Sequence, residues 1–173
     1  MAIRDILTIP DPVLRNVAKP VEEITPDMQQ LFDDMLATMY DAPGIGLAAP
    51  QIGLLERVVV IDVTKDEDAE KNPMVFVNPE ITWESEDLSE HEEGCLSIPE
   101  VFSDVVRPSE VTVSYLDRNG KQQSRDCDGL LAICIQHEID HLNGVLFIDY
   151  LSKLKRDRII KKFTKAKRFT AAG

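Results

Sequence analysis

The segment Leu130-Leu131-Ala132-Ile133-Cys134-Ile135 is built for burial, yet it runs without a break into Gln136-His137-Glu138-Ile139-Asp140-His141. From Gly129 to Leu142 the pattern is apolar with a helical period, so two imidazoles and two carboxylates ride into a core on one helix. Burying such groups without a partner is costly, and the chain must fold around something that satisfies them. Positions i and i+4 of a helix share a face, so His137 and His141 can reach a single ion. Glu138 follows the first of them and can lean over an open coordination position as a base. Two surface histidines would not be set in so apolar a segment. The spacing predicts a catalytic metal centre.

Such centres take three protein ligands and keep one position for water. Candidates for the third ligand are His91, Cys95, Cys127, Cys134 and a carboxylate such as Asp149. Cys134 lies three residues before His137 and points back along its helix, so it reads as a wall residue or a buried thiol. Cys127, within Arg125-Asp126-Cys127-Asp128, reads as an incidental half-exposed thiol. Cys95 follows Gly94, which permits close backbone approach, and precedes the apolar turn Leu96-Ser97-Ile98-Pro99. A thiolate offered from a loop or strand can complete a site begun on a helix. Spacing favours Cys95 and leaves the others open. A non-catalytic site would close all four positions with protein ligands, and no fourth candidate stands out. A zinc endopeptidase shares the His-Glu-x-x-His helix but takes a His or Glu as third ligand.

The remaining chain supplies the setting. Its 173 residues suit one catalytic domain, 1–173, with a basic C-terminal helix or tail over 153–173. That tail holds nine basic side chains and one acid, hence +8, which leaves −20 for residues 1–152 of a total of −12. The acidic body argues against DNA or other nucleic acid as the main ligand, while the tail alone can meet a polyanion. No apolar run approaches the ~20 residues of a membrane span. With no secretory leader at Met1-Ala2-Ile3-Arg4-Asp5 and three cysteines, a cytoplasmic location without a disulfide framework is expected. Thr25-Pro26 starts a helix whose Met28, Leu31, Met35 and Met39 form one apolar face ending before Pro43-Gly44. Val58-Val59-Val60-Ile61 reads as a buried strand, and residues 66–72 as a charged loop. Met74-Val75-Phe76-Val77 begins a strand that Asn78-Pro79 interrupts. Val111, Val113 and Tyr115 alternate along a half-buried strand, and Asn119-Gly120 turns a hairpin in which both residues tolerate positive φ. The acidic residues 84–93 read as a solvated loop or exposed strand face. A last amphipathic helix spans 152–169, with Leu154, Ile159, Ile160, Phe163 and Ala166 as its stripe. This order predicts an α+β fold, its mostly antiparallel sheets packed around a central metal-binding helix, with a C-terminal helix.

Gly44-Ile45-Gly46-Leu47-Ala48-Ala49-Pro50-Gln51 is the other unusual stretch. It does not cradle a nucleotide, since no strand precedes it and no Lys-Ser/Thr pair follows. Together with Glu93-Gly94-Cys95-Leu96-Ser97 and Gln136-His137-Glu138-Ile139-Asp140-His141, it resembles the motif set of the peptide deformylases, in the same order and over essentially the whole chain. The resemblance implies Cys95, His137 and His141 as ligands of one ion per chain. It implies Fe2+, replaceable by Zn2+ or Ni2+, where ligand type alone says zinc. The implied activity is hydrolysis of the formyl amide of formyl-methionine at the start of new polypeptides, releasing formate. Metal-bound water would attack the formyl carbon with Glu138 as base and then acid. The oxyanion would be met by the Gln51 side-chain amide and the Leu96 backbone N–H.

Ile133 and Cys134 precede His137 by four and three residues, so they share its face. With Leu130 and Ile45 they can wall a slot for the methionine side chain. Gly46 can pair its backbone with the substrate as an added strand would, and Gly44 and Glu93 are placed with the substrate-binding residues. Pro50 stands where relatives vary, and Ile133 where some carry Arg, which makes the slot more apolar. Because formyl-methionine occurs on nascent chains, the basic tail is expected to orient the protein on the ribosome.

Overall fold

The computed structural model describes residues 2–64 and 68–172, so the charged loop expected over 66–72 lies partly outside the described residues. In chain order the elements are α1 (Pro26–Asp41), β1 (Gly46–Ala48), β2 (Val58–Ile61), β3 (Met74–Glu84), β4 (Leu88–Cys95), β5 (Ile98–Pro108), β6 (Val111–Leu116), β7 (Gln122–Cys127), α2 (Gly129–Leu142) and α3 (Lys153–Ala172). Thr25 caps α1, its hydroxyl accepting from the Met28 N–H at 3.3 Å, with Pro26 in the first turn.

Strands β1-β2-β3-β6-β7 pair antiparallel in that order to form one sheet, and β4 and β5 form a separate antiparallel ribbon. The four β-branched residues of β2 are buried on both faces because a helix covers each. Val58 and Val60 join Leu31, Phe32, Met35 and Met39 of α1, while Val59 and Ile61 join Ile135, Ile139 and Leu142 of α2. A third cluster sets Leu14, Ile98, Val105 and Phe147 against Ile159, Ile160 and Phe163 of α3. The fold is α+β, and α2 lies in its interior. Among the described residues no helix is long and apolar enough to cross a membrane.

Four local expectations change. Asn78-Pro79 does not end β3. Asn78 takes φ 51° and bonds Val21 through both side-chain atoms, and the register shifts between Val77 and Glu80, so the strand bulges and continues to Glu84. In the β6–β7 hairpin Gly120 alone takes positive φ, at 80°, while the Asp117 carboxylate ties the N–H groups of Asn119 and Lys121. Cys127 is buried rather than half-exposed, because its pairing with Val111 turns its side chain into the core shared with α2. On α3, Leu154 is 71% exposed and Ala166 is also exposed, so the packed stripe narrows to Ile159, Ile160 and Phe163.

Candidate metal centre

Two elements deliver the donor atoms. Helix α2 carries His137 and His141 one turn apart on its buried side, and β4 ends at Cys95, where the ribbon register slips from Gly94–Phe102 to Cys95–Ile98. One donor atom from each of Cys95, His137 and His141 lies within 4.8 Å of the others, and Cys95 Sγ stands 3.2 Å from His141 Nε2. Tetrahedral bonds of about 2.0–2.3 Å to S and N donors put ligand atoms roughly 3.3–3.7 Å apart. The set therefore fits a divalent ion after small adjustments. Of the other candidates, Cys134 bonds weakly to the Ile45 carbonyl at 3.9 Å, and Asp149 accepts from Arg15 and from the Leu146 N–H. His91 lies exposed on β4.

Electrostatics agree with a cation at this place. Burial works to lower the His137 pKa, but hydrogen bonds to Cys95 and Glu93, with the charges of Cys95 and Glu138, hold it well above its ordinary value. Negative groups from Glu93, Cys95 and Glu138 thus converge on His137. His141 is pushed well below its ordinary value, first by burial and then by His137, Arg107 and Arg15, which keeps it neutral as a ligand must be. Burial pushes the Glu138 carboxyl up to about 7, the range of a general base working near neutrality. Glu138 Oε2 and His141 Nδ1 are buried without a hydrogen-bond partner among the described residues.

Glu93 borders the cleft with the other expected substrate-binding residues, and its carboxylate is also bonded to one of the histidines. It accepts from His137 Nδ1 at 2.9 Å and from Arg107 Nε and Nη2 at 2.6 and 2.9 Å. It therefore orients an imidazole from behind, as partners of ligating histidines commonly do. Arg107 escaped the sequence reading. Its signal was its isolation, since it is the only Lys or Arg between Lys71 and Arg118 in an acidic stretch.

Onto the site opens a cleft of about 580 Å³, walled by Ile45, Leu96, Phe102, Leu130, Ile133 and Cys134. Gln51 is buried at its inner end, held by the Ala48 N–H at 2.9 Å; its amide nitrogen donates to Ser97 Oγ at 3.1 Å and lies 3.6 Å from Cys95 Sγ. Gly44 and Gly46 line the same cleft, and β1 is an edge strand of its sheet. Gly46 has a reason the sequence did not disclose. A Cβ there would stand 2.8 Å from Cys134 Sγ and 3.0 Å from Glu138 Oε1, so only glycine lets α2 lie this close to β1.

The sequence matches the family model described as polypeptide deformylase over residues 3–157. It is 61% identical over 166 residues to the peptide deformylase of Rhizobium meliloti (strain 1021), covering 96% of this chain and 95% of that protein. The structure is similar to the crystal structure of a peptide deformylase from Legionella pneumophila, with TM-score 0.88 and 51% identity over 99% of each chain. It is also similar to that of the peptide deformylase from Ehrlichia chaffeensis in complex with actinonin, with TM-score 0.91 and 42% identity over 97% of this chain and 99% of that one.

Proposed function

The chain belongs to the peptide deformylase family, hydrolases that remove the formyl group from the N-terminus of polypeptides, and from that premise we propose that Cys95, His137 and His141 hold the divalent ion this metal-dependent family requires. The observation that carries the reading is a thiol and two imidazoles within 4.8 Å, with the buried Glu138 carboxyl beside them. We take the ion to be Fe2+, with Zn2+ or Ni2+ able to replace it, and the chain to be one catalytic domain over 1–173. A divalent ion held there supplies an acidified water and a polarised carbonyl.

The chain's own residues do the rest. Glu138 accepts the proton that water loses as its oxygen bonds to the formyl carbon, then passes it to the departing amine as the C–N bond breaks. The Gln51 amide and the Leu96 N–H donate to the carbonyl oxygen as it gains charge, and losing one such donor typically costs about 10²–10³ in rate. Gln51 is suited to this because Ala48 and Ser97 already fix its plane. Ile45, Leu130, Ile133 and Cys134 enclose the methionine side chain, and the edge of β1 at Gly44 and Gly46 pairs with the substrate backbone. The products are formate and a chain with a free N-terminal methionine. Work on nascent chains places the protein in the cytoplasm, with the exposed bases of α3 as its contact to the ribosome.

The test is Glu138→Ala. It should keep the metal, because Glu138 is not a ligand, and lose formate release by about 10²–10⁴. Activity within tenfold of the parent protein overturns this role.

A further inference from the structure

Behind the metal centre, a line of hydrogen bonds runs from His137 to the surface. His137 Nδ1 meets Glu93, and Arg107 grips both oxygens of Glu93. The remaining arm of Arg107, Nη1, donates to Asp140 Oδ2 at 2.9 Å, and the Tyr150 hydroxyl donates to the same oxygen at 2.7 Å. The Arg107 guanidinium also lies over the Tyr150 ring, 4.7 Å from its centroid. Exposure rises outward, from 3% for the Arg107 side chain through 20% for Asp140 to 49% for Tyr150. The mechanism above uses none of Arg107, Asp140 and Tyr150.

The line ties together the elements that present the ligands. Cys95 comes from the β4–β5 ribbon and the two histidines from α2, so the donor atoms keep their spacing only while ribbon and helix stay in register. Arg107 sits on β5 and Asp140 on α2, and their ion pair spans that junction. Arg107 is buried between two carboxylates. Removing the outer one leaves a buried guanidinium with Glu93 as its one charged partner, an arrangement that is costly and relaxes by moving. Glu93 is then drawn toward Arg107 and away from His137 Nδ1, which frees the imidazole to turn.

We propose that Asp140 and Tyr150 are positioning residues that act through Arg107 and Glu93 to fix the His137 ring and so set how firmly the ion is held. The proposal rests on the metal-centre reading above. Outer partners one bond from a ligand typically change metal affinity 10–100-fold, and Asp140 stands two partners further out.

The test follows ion release rather than turnover. The full chain is loaded with Ni2+ and the ion's loss to excess chelator is timed; a Co2+-loaded sample gives a visible absorption spectrum that reports ligand geometry. Asp140→Asn should release Ni2+ about tenfold faster and change the Co2+ spectrum. Tyr150→Phe keeps the ring over Arg107 but loses the hydroxyl, and should speed release about two- to threefold. Asp33→Asn, which breaks the surface pair with Arg118 at 3.0 Å, should match the parent in both readouts. A merely structural role would lower the thermal midpoint without moving release rate or spectrum. Parent-like release and spectrum in folded Asp140→Asn overturn the proposal; should that variant not fold, a parent-like Tyr150→Phe does so. A parent chain that takes up no ion overturns the metal-centre reading and this proposal together.

Discussion

Replacing Gly46 by alanine adds one methyl group where β1 meets α2. The new Cβ would lie 2.8 Å from Cys134 Sγ, 3.0 Å from Glu138 Oε1 and 3.1 Å from Glu138 Cγ. Non-bonded heavy atoms prefer about 3.5–4.0 Å, so each contact is short by roughly half an ångström to an ångström. Gly46 is not among the residues of positive φ, so the strain is packing and not backbone. Cys134 and Glu138 are both buried and cannot swing into solvent. Overpacking of this kind costs about 1–3 kcal/mol, which for a chain of this size lowers the thermal midpoint by about 2–12 °C. The relief available is displacement of Glu138, and a misplacement of about 1 Å at a reacting group can cost about 10²-fold in rate. The assay pairs thermal unfolding with steady-state formate release from a short formyl-Met peptide. Adding Cys134→Ala removes the sulfur contact and should restore part of the lost stability. It leaves the Glu138 contact, so kcat should stay low. A Gly46→Ala protein within one degree and within twofold of the parent would show that β1 does not press on Glu138 as described.

Two further outcomes follow from other parts of the molecule. The Ala2 N–H, Arg4 and Gln30 bond the Asp34 carboxylate and hold its pKa down from 3.8 to about 2. A depressed folded-state pKa gives stability that is present above about pH 4 and lost as pH falls toward 2, worth about 2 kcal/mol. Asp34→Asn should flatten acid unfolding in that window, and an unchanged acid limb refutes the linkage. For the basic helix, deletion would uncover Leu146, Phe147 and Ile148, against which Ile159, Ile160 and Phe163 pack. The cleaner variant is charge reversal at the exposed Lys161, Lys162 and Lys165. It should abolish salt-sensitive co-sedimentation with ribosomes while formate release from short peptides stays within about twofold. Unchanged co-sedimentation leaves α3 a packing role alone.

What could be read from the sequence was whatever is encoded locally. Helix α1 begins at its Thr25 cap and α2 spans the stretch whose apolar period is helical, and the i, i+4 spacing places His137 and His141 on one face. Cys95 was distinguishable from Cys127 and Cys134 only weakly by spacing, because its approach to α2 depends on how a separate ribbon packs. The same limit hid the Arg107–Asp140–Tyr150 line, which exists only once β5 and α2 are set side by side. The inward turn of Cys127 depends on its register with Val111, and the bulge at Asn78 on bonds to Val21, a residue distant in sequence. Gly46 looked like a backbone contact for substrate, and the structure adds that it makes room for Glu138.

The central claim is that Cys95, His137 and His141 hold the ion on which deformylation depends. It is tested most directly by purifying the parent chain, Cys95→Ser and Cys127→Ser without oxygen, counting metal per chain, and measuring formate released from a formyl-Met peptide. The account predicts one ion per chain and formate release in the parent and in Cys127→Ser, and loss of both in Cys95→Ser. Metal and activity retained in Cys95→Ser but lost in Cys127→Ser, or formate released by metal-free protein, would contradict it.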